Sequence, residues 1–369
     1  MHITDVRVCQ PVAENSPPDW RTSMGQILVA VDTDCGLTGY GVGGGGLAGE
    51  HVVKAVLRGL LVGRPVEPVE QRWDEMYRAT LPFGRKGLAI MALSGVDLAL
   101  WDLRGKREDK PVAALLNPTL DVARPIPTYR TVWEHVPDDL PDDRSGVKLH
   151  LGLGTGGDGR IETLVRKVEE AREAIGPERM LMIDAWMSWD VETTQVVAEC
   201  IEPLGIAWIE EPLPADDIDG YRELSRHCPI PIVGGEHEFT AHGFRELIEH
   251  RLHSVLQPDI CWAGGMTEMV KIFQMARDAG LWVVPHRGAE LWGLHAIAGL
   301  SRGTGADSGS TLMRSPGHVS EPAASERPLA ESGRPWLPWV GGQPAMENGT
   351  IQLTDRPGFG AEIDPRLFV

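Results

Sequence analysis

Between Met180 and His286 five short apolar runs recur, and each ends in a polar residue. They are MLMID ending at Asp184, IAWIE at Glu210, PIVGGE at Glu236, SVLQPD at Asp259 and WVVPH at His286. The successive intervals are 26, 26, 23 and 27 residues. A repeat of that size accommodates one strand, one loop and one helix. Nearly continuous apolar runs are what parallel strands show when helices cover both faces. Strand and helix in steady alternation predict an α/β barrel, in which chemistry gathers at the C-terminal ends of the strands. The polar residues fall at those ends. Three are carboxylates on successive strands, and buried carboxylates repel one another unless a proton or cation intervenes. Three oxygen donors with open positions suit a hard divalent cation, Mg²⁺ above all. The alternative is that each acid caps the next helix. That accounts for one acid well, and less well for three in register followed by an Asp and a His in register.

The motifs MIDAW around Asp184, WIEEP around Glu210, GGEHEF around Glu236, LQPDICWAGG around Asp259 and VVPHR around His286 together resemble the enolase superfamily, in its mandelate-racemase-like branch. The likeness spans essentially the whole chain. It implies a TIM-type (β/α) barrel with an N-terminal α+β capping domain completed by the C-terminal segment. It further implies that Asp184, Glu210 and Glu236 bind one Mg²⁺ per subunit, and that His286 and Asp259 form a dyad acting as general base.

Composition narrows the function class. The 369 residues suit a barrel plus a second domain. A net charge of −18 argues against a nucleic-acid partner, and any anionic substrate then needs a local cationic site. The five cysteines are scattered, with no CxxC pair, which predicts reduced thiols. No apolar run approaches the roughly 18 residues of a membrane span, and the start MHITDVRV lacks a signal-peptide pattern. A cytoplasmic homo-oligomer without membrane partners is expected.

Along the chain, residues 2–10 and 25–33 alternate as strands. The segment between them, ENSPPDWRTSM, is broken by Pro17 and Pro18. By resemblance, the loop at about 14–24 closes over substrate and Trp20 and Arg21 contact it; an ordinary surface turn is the other reading. Gly43–Gly46 lack a following GKS or GKT and are no phosphate loop. Residues 86–106 carry helical apolar spacing. The expected domains are 1–122 (capping), 123–325 (barrel) and 326–369 (C-terminal return). Barrel strands are expected near 125–132 and 146–151. On the second, Lys148 and His150 share a face, where the resembled family usually carries Lys-x-Lys. The family's usual eighth-strand Glu, about 20 residues past the His, meets Ala306 and Asp307 here.

Lys148 beside three acids makes sense as a partner for a substrate carboxylate. His150 is open between acid, base and an orienting contact. Trp186 shares the face of Asp184 and is expected to wall the pocket, joined by His237. Arg287 adjoins the base and could hold a carboxylate bidentately, although parity puts it on the opposite face. Removing a proton α to a carboxylate makes an enediolate, which a divalent cation stabilises. The loss of the second Lys tilts the expectation from racemisation toward dehydration. The finer likeness of GGEHEFT and QPDICWAGGMTE is to acid-sugar dehydratases, especially rhamnonate-dehydratase-like ones. The resemblance thus implies a carbon–oxygen hydro-lyase converting an aldonate or aldarate to a 2-keto-3-deoxy acid. A racemase or epimerase of a 2-hydroxy acid and a non-catalytic metal-binding barrel are the alternatives.

Overall fold

The structure, a computed structural model, describes residues 1–11, 25–140, 145–151, 160–301, 328–332 and 339–368. Trp20, Arg21, the whole 14–24 segment, Ala306 and Asp307 lie outside the described residues.

The N-terminal unit begins with an antiparallel meander of β1 (Ile3–Cys9), β2 (Ile27–Thr33) and β3 (Thr38–Gly43). The sequence of β3 reads as part of a turn. Its alternate positions are Gly39, Gly41 and Gly43, which carry little strand signal. They are glycine for a steric reason. A Cβ at Gly41 would sit 2.1 Å from the carbonyl oxygen of Gly95, because a helix lies directly on the sheet there. Helices α1 (Gly46–Val52) and α2 (Arg58–Leu61), joined by a π-turn, are followed by α3 (Val69–Thr80), α4 (Leu88–Glu108) and the short α5 (Val112–Leu116). α4 is the helix on the sheet. It is apolar around most of its girth and almost wholly buried, as a central helix must be.

The barrel follows. β4 (Ile126–Trp133), β5 (Gly146–His150), β6 (Met180–Asp184), β7 (Ile206–Glu210), β8 (Ile232–Gly234), β9 (Val255–Leu256) and β10 (Trp282–Val283) pair in parallel, each with the next. Between them run α6 (Arg160–Ile175), α7 (Val191–Ile201), α8 (Ile218–His227), α9 (Thr240–Glu249) and α10 (Met266–Asp278), and α11 (Leu291–Leu300) follows β10. The eighth strand is β11 (Ala330–Ser332), parallel to β4 with Ala330 opposite Thr128. The barrel sheet therefore runs past the expected boundary at residue 325. Three residues after a long aperiodic stretch give too short a pattern to read as a strand.

After β11, β12 (Val340–Gly341) pairs with β15 (Glu362–Ile363), and the hairpin of β13 (Met346–Glu347) and β14 (Thr350–Ile351) adds to the start of β4. Asp102 of α4, fully buried, accepts from the backbone N–H of both Tyr40 and Phe359 at 2.8 Å. The last residues are thus tied to the N-terminal sheet. The same helix grips the barrel. Asp97 accepts from Thr267 N (3.0 Å) and Thr267 Oγ1 (2.6 Å), while the hydroxyl of Ser94 accepts from Gly264 N (2.9 Å).

Candidate active site

Strand register brings the functional side chains to one rim. His150 pairs with Asp184, and Asp184 with Glu210, so three neighbouring strands end level. Glu236, Asp259 and His286 follow the ends of β8, β9 and β10. Asp184, Glu210, Glu236 and Asp259 are all buried, none exposed by more than 5%. The two-residue alternation of β5 puts Lys148 one step deeper than His150, and it is completely enclosed.

Lys148 is drawn among the acids rather than toward the mouth. Its Nζ lies 2.8 Å from both oxygens of Glu210, 2.8 Å from Glu331 Oε1 and 3.6 Å from Asp184 Oδ2. Gln257 Nε2 donates to Glu210 Oε2 at 2.8 Å. Burial would lower the Lys148 ammonium, but Glu210, Glu331 and Asp184 hold it well above its ordinary value. Even so, positive charge is short. Burial and the nearby Glu210 push Asp184 well above the usual carboxylate range, and burial lifts Glu210 to about 7 against the pull of Lys148.

Glu331 is the functional residue that sequence reasoning missed. An ordinary interval after His286 points to Ala306 and Asp307, whereas the eighth strand starts at Ala330. The signal is slight: Glu331 of LAES lies inside a Pro- and Gly-rich stretch without periodicity, close after Glu321 and Glu326. Its buried carboxylate accepts from Thr131 Oγ1 (2.5 Å) and Arg287 N (2.9 Å) and reaches both Lys148 and His286. Burial would raise it; Lys148 and His286 hold it well below the usual range.

His286 does not pair with Asp259 in this arrangement. Its Nδ1 lies 2.6 Å from Glu236 Oε2 and 3.3 Å from Glu331 Oε2. Burial would lower the imidazole, but these two carboxylates hold it well above its ordinary value. Asp259 turns one oxygen to Cys261 N (2.7 Å), and its Oδ2 has no hydrogen-bond partner among the described residues. Arg287 Nη1 lies 3.8 Å from that oxygen. Arg287 is buried and held by Glu290 through Nε (3.0 Å) and Nη2. With its amide turned so that the oxygen faces the guanidinium, Gln26 accepts from Arg287 Nη1 (2.6 Å) and donates to the carbonyl of Gly43 (2.7 Å). The guanidinium thus stands between the barrel and the N-terminal sheet.

Trp186 and His237 stand at the mouth. His150 stacks on Trp133, ring centroids 3.9 Å apart, and tilts toward Trp186 at 6.2 Å. Burial, aided by Lys148, lowers His150 to about 4. His237 Nδ1 lies 2.6 Å from Glu211 Oε2, and Glu211 Oε1 also accepts from Gly235 N (3.0 Å). Burial would lower His237, but the bond to Glu211 and the charges of Glu236 and Glu211 together outweigh it and raise it to about 9.

The donor set fits a hard divalent cation. Ligand atoms of Glu210, Glu236 and His286 all lie within 4.8 Å of one another, and Asp184 stands beside them across Lys148. Two of the three acids are strained by burial without enough counter-charge, which a divalent ion would relieve.

Comparison with known proteins places the chain in a family. Residues 4–117 match the mandelate racemase/muconate lactonizing enzyme N-terminal domain, and residues 144–367 match the enolase C-terminal domain-like family. The L-rhamnonate dehydratase of Saccharopolyspora erythraea is 34% identical over 378 residues, spanning 99% of this chain and 92% of that one. The crystal structure of rhamnonate dehydratase from Gibberella zeae complexed with Mg superposes with a TM-score of 0.84 at 26% identity, covering 99% of this chain and 95% of the other. The 3,6-anhydro-D-galactonate cycloisomerase from Zobellia galactanivorans superposes with a TM-score of 0.81 at 27% identity, covering 100% and 98%. With both domains matched in order and the acids level at the barrel rim, the chain belongs to the enolase superfamily, in its mandelate racemase/muconate lactonizing enzyme branch.

Proposed function

We propose that the protein is a Mg²⁺-dependent acid-sugar dehydratase. It removes the proton α to the carboxylate of an aldonate or aldarate and expels the β-hydroxyl, giving a 2-keto-3-deoxy acid. The observation that carries this reading is the convergence of Asp184, Glu210 and Glu236 on one rim with His286 beside them. The similarity to an L-rhamnonate dehydratase along nearly the whole chain supports it. Fold likeness alone does not separate the reactions, since a cycloisomerase superposes about as well.

Asp184, Glu210 and Glu236 would hold the ion. When bound, it supplies the positive charge that an enediolate needs. His286 is the proposed base. Flanked by Glu236 and Glu331 alone, its imidazole is held protonated. Once Glu236 is engaged as a ligand, His286 loses its nearest counter-charge and returns toward the range where it can accept a proton. Asp259, on the neighbouring strand, acts on it as a buried negative charge. His150, lowered to about 4, is neutral near pH 7 and is not a standing acid. The proton that assists departure of the β-hydroxyl therefore comes from His286 itself, newly protonated. Lys148 balances the acids, and a substrate carboxylate entering beside Glu331 would share its charge.

The test is a panel of acid sugars in deuterated water with Mg²⁺ or with chelator. Metal-dependent α-proton exchange together with a 2-keto-3-deoxy product is expected. Exchange with return to an epimer and no keto product would make the protein a racemase or epimerase. No exchange on any acid would leave the non-catalytic barrel.

A further inference from the structure

Asp184 and Glu210 are the last residues of their strands and sit in the ladder itself. Asp259 does not. β9 stops at Leu256, and Asp259 opens a tight turn that leads into α10. The turn is closed upon itself. The carbonyl of Asp259 accepts from Trp262 N (3.0 Å) and Ala263 N (2.7 Å), and that of Ile260 accepts from Gly265 N (3.2 Å). The Asp259 carboxylate accepts from Cys261 N (2.7 Å). A displacement at the far end of this turn is therefore passed back to Asp259.

The far end is held by the N-terminal domain. Trp73 Nε1 of α3 donates to the carbonyl of Gly264 (2.8 Å). The Ser94 hydroxyl of α4 accepts from Gly264 N (2.9 Å) and donates to Ile90 O on its own helix (2.8 Å). Asp97 accepts from both the amide (3.0 Å) and the hydroxyl (2.6 Å) of Thr267, and Trp101 Nε1 donates to the same hydroxyl (3.0 Å). All of these side chains are buried. The fit is close as well as polar: a Cβ at Gly265 would lie 2.4 Å from Asp97 Oδ2. A buried polar network that is fully paired fixes one arrangement, because each group left alone would cost its desolvation.

We infer that Ser94 and Asp97 are positioning residues for the general base: by holding the 259–267 turn they set where the Asp259 carboxylate stands with respect to His286. The inference rests on the acid-sugar reading above and deepens it, since it makes the N-terminal domain a part of the proton-transfer machinery. A misplacement of about 1 Å far from the chemistry can cost about 10²-fold in rate. Loosening the turn should therefore lower kcat by roughly 10- to 100-fold. It should leave the carboxylates proposed to hold the ion in place, since Asp184, Glu210 and Glu236 follow other strands.

The variants are Ser94→Ala, Asp97→Ala and Asp97→Asn, with Ser94→Ala also made in an Asp259→Asn background. Thermal melts verify that each folds. Amide hydrogen exchange, read by mass spectrometry, follows residues 255–267 with β6 and β7 as internal references. Mg²⁺ affinity is read by calorimetry, and kcat and KM with an acid of the panel that the wild type turns over. Both alanine variants should speed exchange across the turn by about tenfold and leave the references unchanged. Mg²⁺ affinity and KM should stay within about twofold while kcat falls. Asp97→Asn should retain most of kcat, because its amide can still accept from Thr267 N. In the Asp259→Asn background Ser94→Ala should cost less than about threefold more, since the carboxylate that it positions is already gone. A merely structural role would give the same fold-loss in both backgrounds, and that result overturns the inference. So does exchange in the turn that stays at the wild-type rate, or a loosened turn with wild-type kcat. Faster exchange in a protein that turns over no acid would leave the hold on the turn standing and remove the dehydratase reading; turnover with unchanged exchange would do the reverse.

Discussion

Lys148 is completely enclosed and touches three carboxylates, so replacing it with the similarly shaped Met isolates its charge. At 2.8 Å and an effective dielectric of about 20, one such pair attracts by about 6 kcal/mol. Desolvation cancels much of that, and removal of one partner from a buried ion pair typically costs about 3–5 kcal/mol. The Lys148→Met protein in chelator should be destabilised by roughly that amount at pH 8. The deficit should depend on pH with a definite sign. Asp184 and Glu210 already have folded pKa values above their unfolded ones, and loss of the ammonium raises them further. A carboxyl of that kind contributes stability below its unfolded pKa and loses it as pH rises through the folded one. The deficit should therefore be small near pH 5 and grow through pH 7, where Glu210 titrates. Saturating Mg²⁺ should recover part of it, by about 2.7 kcal/mol at a hundred times Kd. Urea denaturation at pH 5.5 and pH 8, with chelator and with Mg²⁺, reads all of these. A variant as stable as wild type at pH 8 in chelator, or one worse off at pH 5.5, would refute the reasoning.

Four further outcomes are expected. His286→Asn should abolish α-proton exchange while Mg²⁺ affinity, read by calorimetry, stays within about threefold, since the carboxylate ligands are untouched. Asp259→Asn should lower kcat by about 10²- to 10⁴-fold; a loss under tenfold would show that the dyad is not needed for chemistry. Glu331→Gln should lower kcat by about 10²-fold in the same steady-state assay, because both Lys148 and His286 lean on that carboxylate. Asp97, lifted by burial to about 7 at the domain junction, should make stability fall between about pH 4 and pH 7 by up to roughly 4 kcal/mol. Asp97→Asn should flatten that slope in thermal melts, since a neutral amide can still accept from Thr267 N.

The floor of the site was legible because each acid ends an apolar run and the runs recur at strand–helix intervals. Strand periodicity also put Lys148 and His150 on one face. It could not show where a flexible side chain points. Lys148 turns down into the acids because they outcompete solvent for it, and His286 turns to Glu236 because two carboxylates lie closer than Asp259. Parity separates Arg287 from His286 only if the strand continues, but β10 ends at Val283 and Arg287 stands in a turn at φ 54°, its guanidinium held by Glu290 three residues on. Glu331 escaped because a three-residue strand has no period to read, and the spacing before it departs from that of the other strands. β3 escaped because glycines chosen for close helix contact look like a turn.

The pairing of β11 with β4 and the grip of Asp102 on Phe359 have a consequence for the order in which the protein can be made. A ribosome releases the N-terminal sheet and β4 early, but their partners lie far downstream, at positions 330–332, 350–351 and 359. Until those emerge, β4 keeps an open strand edge, a template for wrong pairing. The buried carboxylate of Asp102 likewise lacks one of its two backbone donors. Vectorial synthesis therefore leaves these groups unpartnered until residues 330–359 emerge, and barrel and cap close together only then.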